Sequence, residues 1–363
     1  MQRWLAIRAL QKRVDEATRL AFARARATRE YVGAGESSSC CSSRYTECRP
    51  YPLARMTSAN AEPGAWGPQE IGAVALAAEL MPEQLESVCL LLGPYRNLTT
   101  LTCAVLSLHP QCVVLNHAGQ RILPNPRLNF LVDYSPEKFR EFVGFAGRES
   151  HGGARGQHGG DIRLSHAFDF EAMRQAAAKV QDSPREPAKC LVWKDSHMVT
   201  NFLRSAQVDV PQLLQRNEAL RFLLPIRNPI DCALSNLRTG HVAFFEAPDL
   251  LSSERPIDAV LSAVLDEIIW FLELRDASTQ PERFFVFFQH EIGRRVLEKM
   301  LDFLRLRPDE AYLASATDAF RVAGGGYKRR SDQRLLDLYA SLVSRKFDRY
   351  PAIRDALLEF APH

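Results

Sequence analysis

The sequence predicts an α/β protein: a central parallel sheet flanked by helices on both faces. Three observations carry this. Five short apolar runs, at residues 88–92, 112–115, 190–193, 222–226 and 284–288, are continuous rather than alternating, as in strands buried on both sides. Segments with apolar residues at helical spacing separate or follow them, among them 101–108, 257–274, 294–304 and 334–346. The runs end in polar or charged clusters, and in open parallel sheets ligands bind beyond the carboxyl ends of the strands.

The 363 residues, 46% hydrophobic and 25% charged, are enough for a full core. A net charge of +3 is too small to imply nucleic acid, and no apolar run is long enough to span a bilayer. Cys89, Cys103, Cys112, Cys190 and Cys232 lie in apolar runs and read as reduced core residues, so a soluble, reducing, cytoplasmic setting is expected.

Taken in order, residues 1–31 have the pattern of a basic amphipathic helix, with Asp15 and Glu16 counting against a transit peptide. Residues 33–67 are rich in Ser, Gly and Pro. Together, residues 1–67 read as a poorly ordered basic extension and linker, and 68–363 as the α/β domain. Segment 124–189, with its Gly/His-rich stretch at 151–160, reads as an inserted lid or substrate region with helical pieces near 136–145 and 168–180. Its His151, His158 and His166 read as solvated loop histidines rather than metal ligands.

The first run opens a strand–loop–helix unit, 88–108, whose loop carries Gly93, Pro94, Arg96 and Asn97 and whose helix starts at Thr99 and Thr100. Such a unit aims backbone N–H groups and the positive end of a helix dipole at one point, an anion cradle. It is not a Walker A loop, because Leu98 and Thr99 stand where Gly and Lys would be. This argues against an ordinary phosphoryl transferase. The second run ends at Asn116 and His117, the third at Lys194, Asp195, Ser196 and His197, the fourth at Arg227, Asn228, Pro229 and Asp231, and the fifth at Gln289, His290 and Glu291. A late glycine run, GGGYKRR, brings Tyr327, Lys328, Arg329 and Arg330. Cations gathered at one sheet edge repel one another and fit a ligand with separated phosphates.

On these residues the chain resembles the sulfotransferase family that uses 3′-phosphoadenosine 5′-phosphosulfate (PAPS), with its P-loop NTPase-like sulfotransferase fold. The resemblance spans roughly 86–345. It implies that Arg96, Asn97, Leu98, Thr99 and Thr100 bind the 5′-phosphosulfate, and that Arg227 and Ser235, eight residues on, grip the 3′-phosphate. It implies that Lys194 lies near the bridging oxygen, and that the loop of Tyr327, Lys328 and Arg329 closes over the nucleotide. The general base is His117 or His197; His117 occupies a place where relatives put an acidic base and is preferred. PAPS is then a co-substrate, no metal is called for, and the partner is a small-molecule or glycan acceptor. Leu98 departs from the family's glycine, so a catalytically inactive nucleotide- or anion-binding protein is the alternative. Acceptor choice is expected to lie with 124–189 and with the segment after Ser235, including His241, Phe244 and Phe245. Acceptor identity and oligomeric state are not readable.

Overall fold

A computed structural model describes residues 80–151, 160–181, 186–245, 250, 252–324 and 332–361. The basic extension and linker, His158, and Tyr327, Lys328, Arg329 and Arg330 lie outside the described residues.

The five expected strands are present: β1 (Ser87–Leu91), β2 (Cys112–Asn116), β3 (Cys190–Lys194), β4 (Leu220–Ile226) and β5 (Phe284–Phe288). All are parallel, in the order β2-β3-β1-β4-β5. Twelve α-helices among the described residues accompany them. Those after β1 and β2 are α1 (Thr99–Leu106), α2 (Gly119–Ile122), α3 (Pro136–Glu149) and α4 (Glu171–Gln181). Next come α5 (Ser196–Ser205), α6 (Val210–Arg216), α7 (Pro229–Thr239) and α8 (Pro256–Asp276). The last four are α9 (Arg294–Phe303), α10 (Glu310–Gly324), α11 (Gln333–Lys346) and α12 (Pro351–Leu358).

The strands are apolar throughout because each side chain meets a helix layer. In β1, Val88 and Leu90 enter the layer of α3, α5, α8 and α11, whereas Cys89 and Leu91 enter the layer of α1, α4, α9 and α10. Cys89, Cys103, Cys112, Cys190 and Cys232 are buried and unbridged, as expected. Within the segment read as an insert, α3 buries Phe139, Phe142 and Val143 in the first layer, and α4 buries Met173 and Ala176 in the second. Both helices are therefore built into the core on either side of residues 152–159. Among the described residues no helix is long and apolar enough to cross a membrane.

Two features position the site. β1 leads through α1 to β2 on one side, while its neighbour β4 leads through α7 and α8 to β5 on the other. The crevice between β1 and β4 is thus the switch point where such sheets bind ligands. Secondly, Phe142 of α3 packs on Trp193 of β3 (ring centroids 5.4 Å apart), and the Trp193 indole N–H donates to the carbonyl of His117 at 2.7 Å. The aromatic layer under the sheet thereby anchors the end of β2. Phe142→Ala should lower unfolding stability by about 3–5 kcal/mol, the usual cost of emptying a buried Phe site, read as an earlier midpoint in chemical denaturation.

Candidate functional site at the carboxyl ends of the strands

Between β1 and α1 the chain turns through Gly93, with φ 98° and N–H donated to Thr200 Oγ1 at 2.9 Å. A Cβ at Gly93 would fall 2.3 Å from Leu224 Cδ1, so only glycine fits. Arg96 (φ 64°) and Leu98 (φ 62°) are also left-handed. Leu98 caps α1 without a side-chain hydrogen bond to its first turn. Thr99 is buried, and its hydroxyl accepts a long hydrogen bond from Ser196 (3.5 Å).

Asn97 is 2% exposed, and both ends of its amide are engaged. Nδ2 donates to the carbonyl of Pro225, and Oδ1 accepts the N–H of Arg227 at 2.8 Å. The ladder between β1 and β4 ends with the N–H of Leu92 on Leu223. The Asn97 side chain continues it, meeting residues two apart on β4 as a parallel strand would. It serves to tie the cradle to the end of β4; the amide is not presented outward.

Helix α7 faces the same loop. Asn228 caps it, accepting from the N–H groups of Ile230 and Asp231, and Pro229 occupies the first turn. Ser235, about two turns in from the cap on the buried side, accepts from Arg96 Nε at 3.0 Å. Asn236 donates to the carbonyl of Tyr95 at 2.8 Å. Arg227 lies between, its Nη2 3.9 Å from Asp231, its Nη1 a long 3.4 Å from the carbonyl of Arg96, and its buried Nε without a hydrogen-bond partner. Burial, then the charges of Arg227 and Arg238, hold the Arg96 guanidinium below its ordinary pKa. The cradle arginine and the two residues eight apart are therefore brought together.

The end of β2 is equally strained: His117 (φ 63°) and Ala118 (φ 75°) are consecutive left-handed residues. Lys194 Nζ donates to His117 Nε2 at 3.0 Å, which puts the ring proton on Nδ1, 3.6 Å from Asp195 Oδ1. Asp195 Oδ2 accepts the N–H of Gly119 at 2.6 Å, and a Cβ at Gly119 would lie 2.4 Å from that oxygen. Lys194 is 6% exposed, and burial lowers its pKa, making its ammonium readier to give up a proton.

His197 is elsewhere. It is 0% exposed, its Nε2 bonds the carbonyl of Phe244 at 2.7 Å, and its ring lies 5.2 Å from Tyr95 and 4.8 Å from Phe245. Burial lowers its pKa, which keeps it neutral. The structure thus gathers Arg96, Arg227 and Ser235 at one strand pair and His117 and Lys194 at the other, with His197 beneath Tyr95. Sequence reasoning gave no role to Asp195, Tyr95 or Thr200. The adjacency of Asp195 to Lys194 was a usable signal for the first; the others depend on long-range contacts. His241, in the segment read for acceptor choice, sits 5.1 Å from the Tyr95 ring. Burial, then the charge of Arg96, with His197 and Lys194 also close by, push its pKa down to about 4.

At position 98, Gly should be more stable than Ala by about 1–2 kcal/mol, the left-handed penalty, which reverses the usual helical preference; thermal unfolding of Leu98→Gly and Leu98→Ala measures it. His241 carries less proton folded than unfolded between pH 6.5 and about 4, so stability should fall as pH drops through that window. A pH series of denaturation midpoints should be flatter for His241→Gln than for the wild type.

No family model matches the chain, and no curated protein matches it by sequence. Among solved structures it is similar to the sulfotransferase domain of the Synechococcus PCC 7002 olefin synthase, at 16% identity and a TM-score of 0.33, over 70% of this chain and 93% of that one. It is similar to sulfotransferase STF9 from Mycobacterium avium, at 14% identity and TM-score 0.36, over 73% and 77% of the two chains. It is also similar to mouse sulfotransferase SULT7A1 complexed with PAP, at 14% identity and TM-score 0.36, over 78% and 93%. At these scores the likeness is to an arrangement of strands and helices, and the reading below stands on the geometry of this chain.

Proposed function

We propose that the chain is a sulfotransferase that binds PAPS and passes its sulfuryl group to a hydroxyl or amine of a small-molecule or glycan acceptor. The observation that carries this is the joining of two clusters along adjacent strand ends: Arg96, Ser235 and Arg227 at β1 and β4, and Lys194, His117 and Asp195 at β3 and β2. The residues fit such a co-substrate. Arg227 keeps a buried, unpartnered Nε, and Asp231 is the one carboxylate within 4.0 Å of Arg96 or Arg227 among the described residues. An excess of partly buried positive charge of this kind is offset by a polyanion. PAPS supplies the activated sulfuryl group, and transfer leaves bisphosphoadenosine and one proton.

Each residue then has a role. Arg227 and Ser235 hold the 3′-phosphate, and Arg96 with the first turn of α1 at Thr99 and Thr100 faces the 5′ side. Lys194, buried and poor in competing water, stabilises negative charge as it develops on the leaving oxygen. His117 takes the acceptor's proton at Nε2, while Asp195 opposite Nδ1 holds the tautomer and balances the imidazolium. In the free protein Nε2 accepts from Lys194. It becomes available as a base when the ammonium turns towards an anion, which couples nucleotide binding to base activation.

A second reading, nucleotide or anion binding without transfer, is favoured by Leu98, whose side chain and left-handed backbone occupy the place of the family's glycine. Calorimetric titration with 3′,5′-bisphosphoadenosine tests the site common to both. Arg227→Ala should weaken binding ten- to a hundred-fold, about 1.5–3 kcal/mol for a charge-assisted phosphate contact. A well-folded wild type that shows no saturable binding would sink both readings. Binding without turnover across hydroxyl and amine acceptors would leave the second.

A further inference from the structure

At the opposite, amino-terminal end of the sheet stands a second group of cations that the proposed reaction does not use. Arg221, the second residue of β4, is 5% exposed. Its Nε donates to the carbonyl of Phe303 at 2.7 Å, and its guanidinium lies 5.9 Å from the Phe303 ring centroid. Its Nη1 is buried with no hydrogen-bond partner. Arg283, just before β5, is half-buried and donates to the carbonyls of Asn217 (2.7 Å) and Leu214 (3.4 Å). Arg305 is exposed and follows α9. Among the described residues none of the three has a carboxylate within 4.0 Å; Glu218 and Glu282 act on Arg283 from further away. Burial and the mutual repulsion of Arg221, Arg283 and Arg305 lower the pKa of Arg221 to about 10.

One arginine at this place has an ordinary explanation. Arg221 satisfies a carbonyl at the carboxyl end of α9, where the helix dipole favours a cation. That need is met by one charge and one donor. Two further observations exceed it. The Asn217 side chain, beside Arg283, bonds the N–H of Ala219 through Oδ1 and leaves a buried Nδ2 without a partner, so the two unsatisfied groups at the start of β4 are donors, while Gln280 Oε1 before β5 is an unsatisfied acceptor. Arg305 occupies the left-handed turn that ends α9, with φ 55°, its N–H on Asp302 and the next N–H on Leu301. Glycine is the usual residue in that turn, and here an arginine stands in it against the backbone preference.

We propose that Arg221, Arg283 and Arg305 form a binding site for a phosphate- or sulfate-type oxyanion at the amino-terminal end of the sheet. The half-buried Arg283 and exposed Arg305 form its mouth, and the desolvated Arg221 gives it strength. β4 separates it from Arg227 by about 20 Å, six residues of extended chain, so the two anion sites are filled independently. The oxyanion is a free inorganic ion or a phosphate group carried on a nucleotide.

The test is calorimetry at low ionic strength in an Arg227→Ala background, which weakens the carboxyl-end cluster about ten- to a hundred-fold and so separates its heat from that of the amino-terminal site. Inorganic phosphate and sulfate should each bind saturably against a chloride control. Adding Arg283→Ala or Arg305→Gly should weaken binding at least tenfold. Equal competition by inorganic phosphate and 3′,5′-bisphosphoadenosine assigns a free ion's site, and a large preference for the latter a nucleotide phosphate. Absence of saturable binding in Arg227→Ala overturns the proposal. So does an Arg305→Gly protein whose melting temperature rises while its phosphate affinity stays unchanged, the result expected of a purely structural turn. Arg221 is left intact, since its replacement threatens the fold.

Discussion

The site depends on the amide of Asn97. β1 runs out of hydrogen-bonded length before β4 does, and the loop that leaves it carries an arginine that must face the arginine ending β4. Asn97 resolves this by acting as one more residue of strand: it accepts from the N–H of Arg227 and donates to the carbonyl of Pro225. Pro225 has no N–H to place in a ladder, and lies where β1 no longer needs one. With the two loops locked, the carbonyl of Arg96 meets Arg227 and the Arg96 side chain reaches Ser235. A serine hydroxyl can donate and accept, but only through one atom on a shorter side chain, whereas the amide places its donor and its acceptor on separate atoms as a peptide unit does.

What is locked together is self-repelling. Burial lowers the pKa of Arg96, Lys194 and His241, and neighbouring cations lower them further. A fold that gathers such charges gives up stability, which the apolar layers on both faces of the sheet supply. The same desolvation makes the charges effective, because a donor held out of water does not have to shed water when charge develops beside it. Lys194 and His117 carry the idea furthest: each is the other's partner.

Much of this was legible in the chain. All five strands could be read because both of their faces are covered, which removes the alternation that turns or surface strands would show. Arg227 and Ser235 could be singled out because one ends a strand and the other lies on the helix that follows, but the contact Ser235 makes, with Arg96, is a long-range one. The insert was harder. α3 and α4 are amphipathic helices beside a Gly/His-rich stretch, and only the structure reveals that Phe142 and Met173 complete opposite core layers. Equally hidden were contacts fixed by chain crossings: Asn97 to β4, Thr200 to Gly93, and Asp195 to Gly119. His117 and His197 looked equivalent because both follow strands. Burial separates them, since one lies against a lysine and a carboxylate and the other is enclosed by aromatic rings.

Backbone strain coincides with the charge. Of the six non-glycine residues with positive φ among those described, Arg96, Leu98, His117 and Ala118 lie at the ends of β1 and β2, and a fifth is Arg305. Such conformations persist where surroundings over-determine them. Here the surroundings can be named: Trp193 and the Lys194 carbonyl grip the backbone of His117, Ser235 holds Arg96, and the Thr102 hydroxyl and N–H both bond the carbonyl of Leu98. A glycine at 98 would reach the same shape with less strain but would leave the loop freer in the unfolded chain and more mobile in the folded one. Leucine gives up backbone ease and packs its side chain partly against the second core layer. A cradle stiffened in this way has less conformational entropy to lose when an anion arrives. Leu98 is therefore consistent with a preorganised phosphate loop, and its presence is not in itself a mark of lost activity.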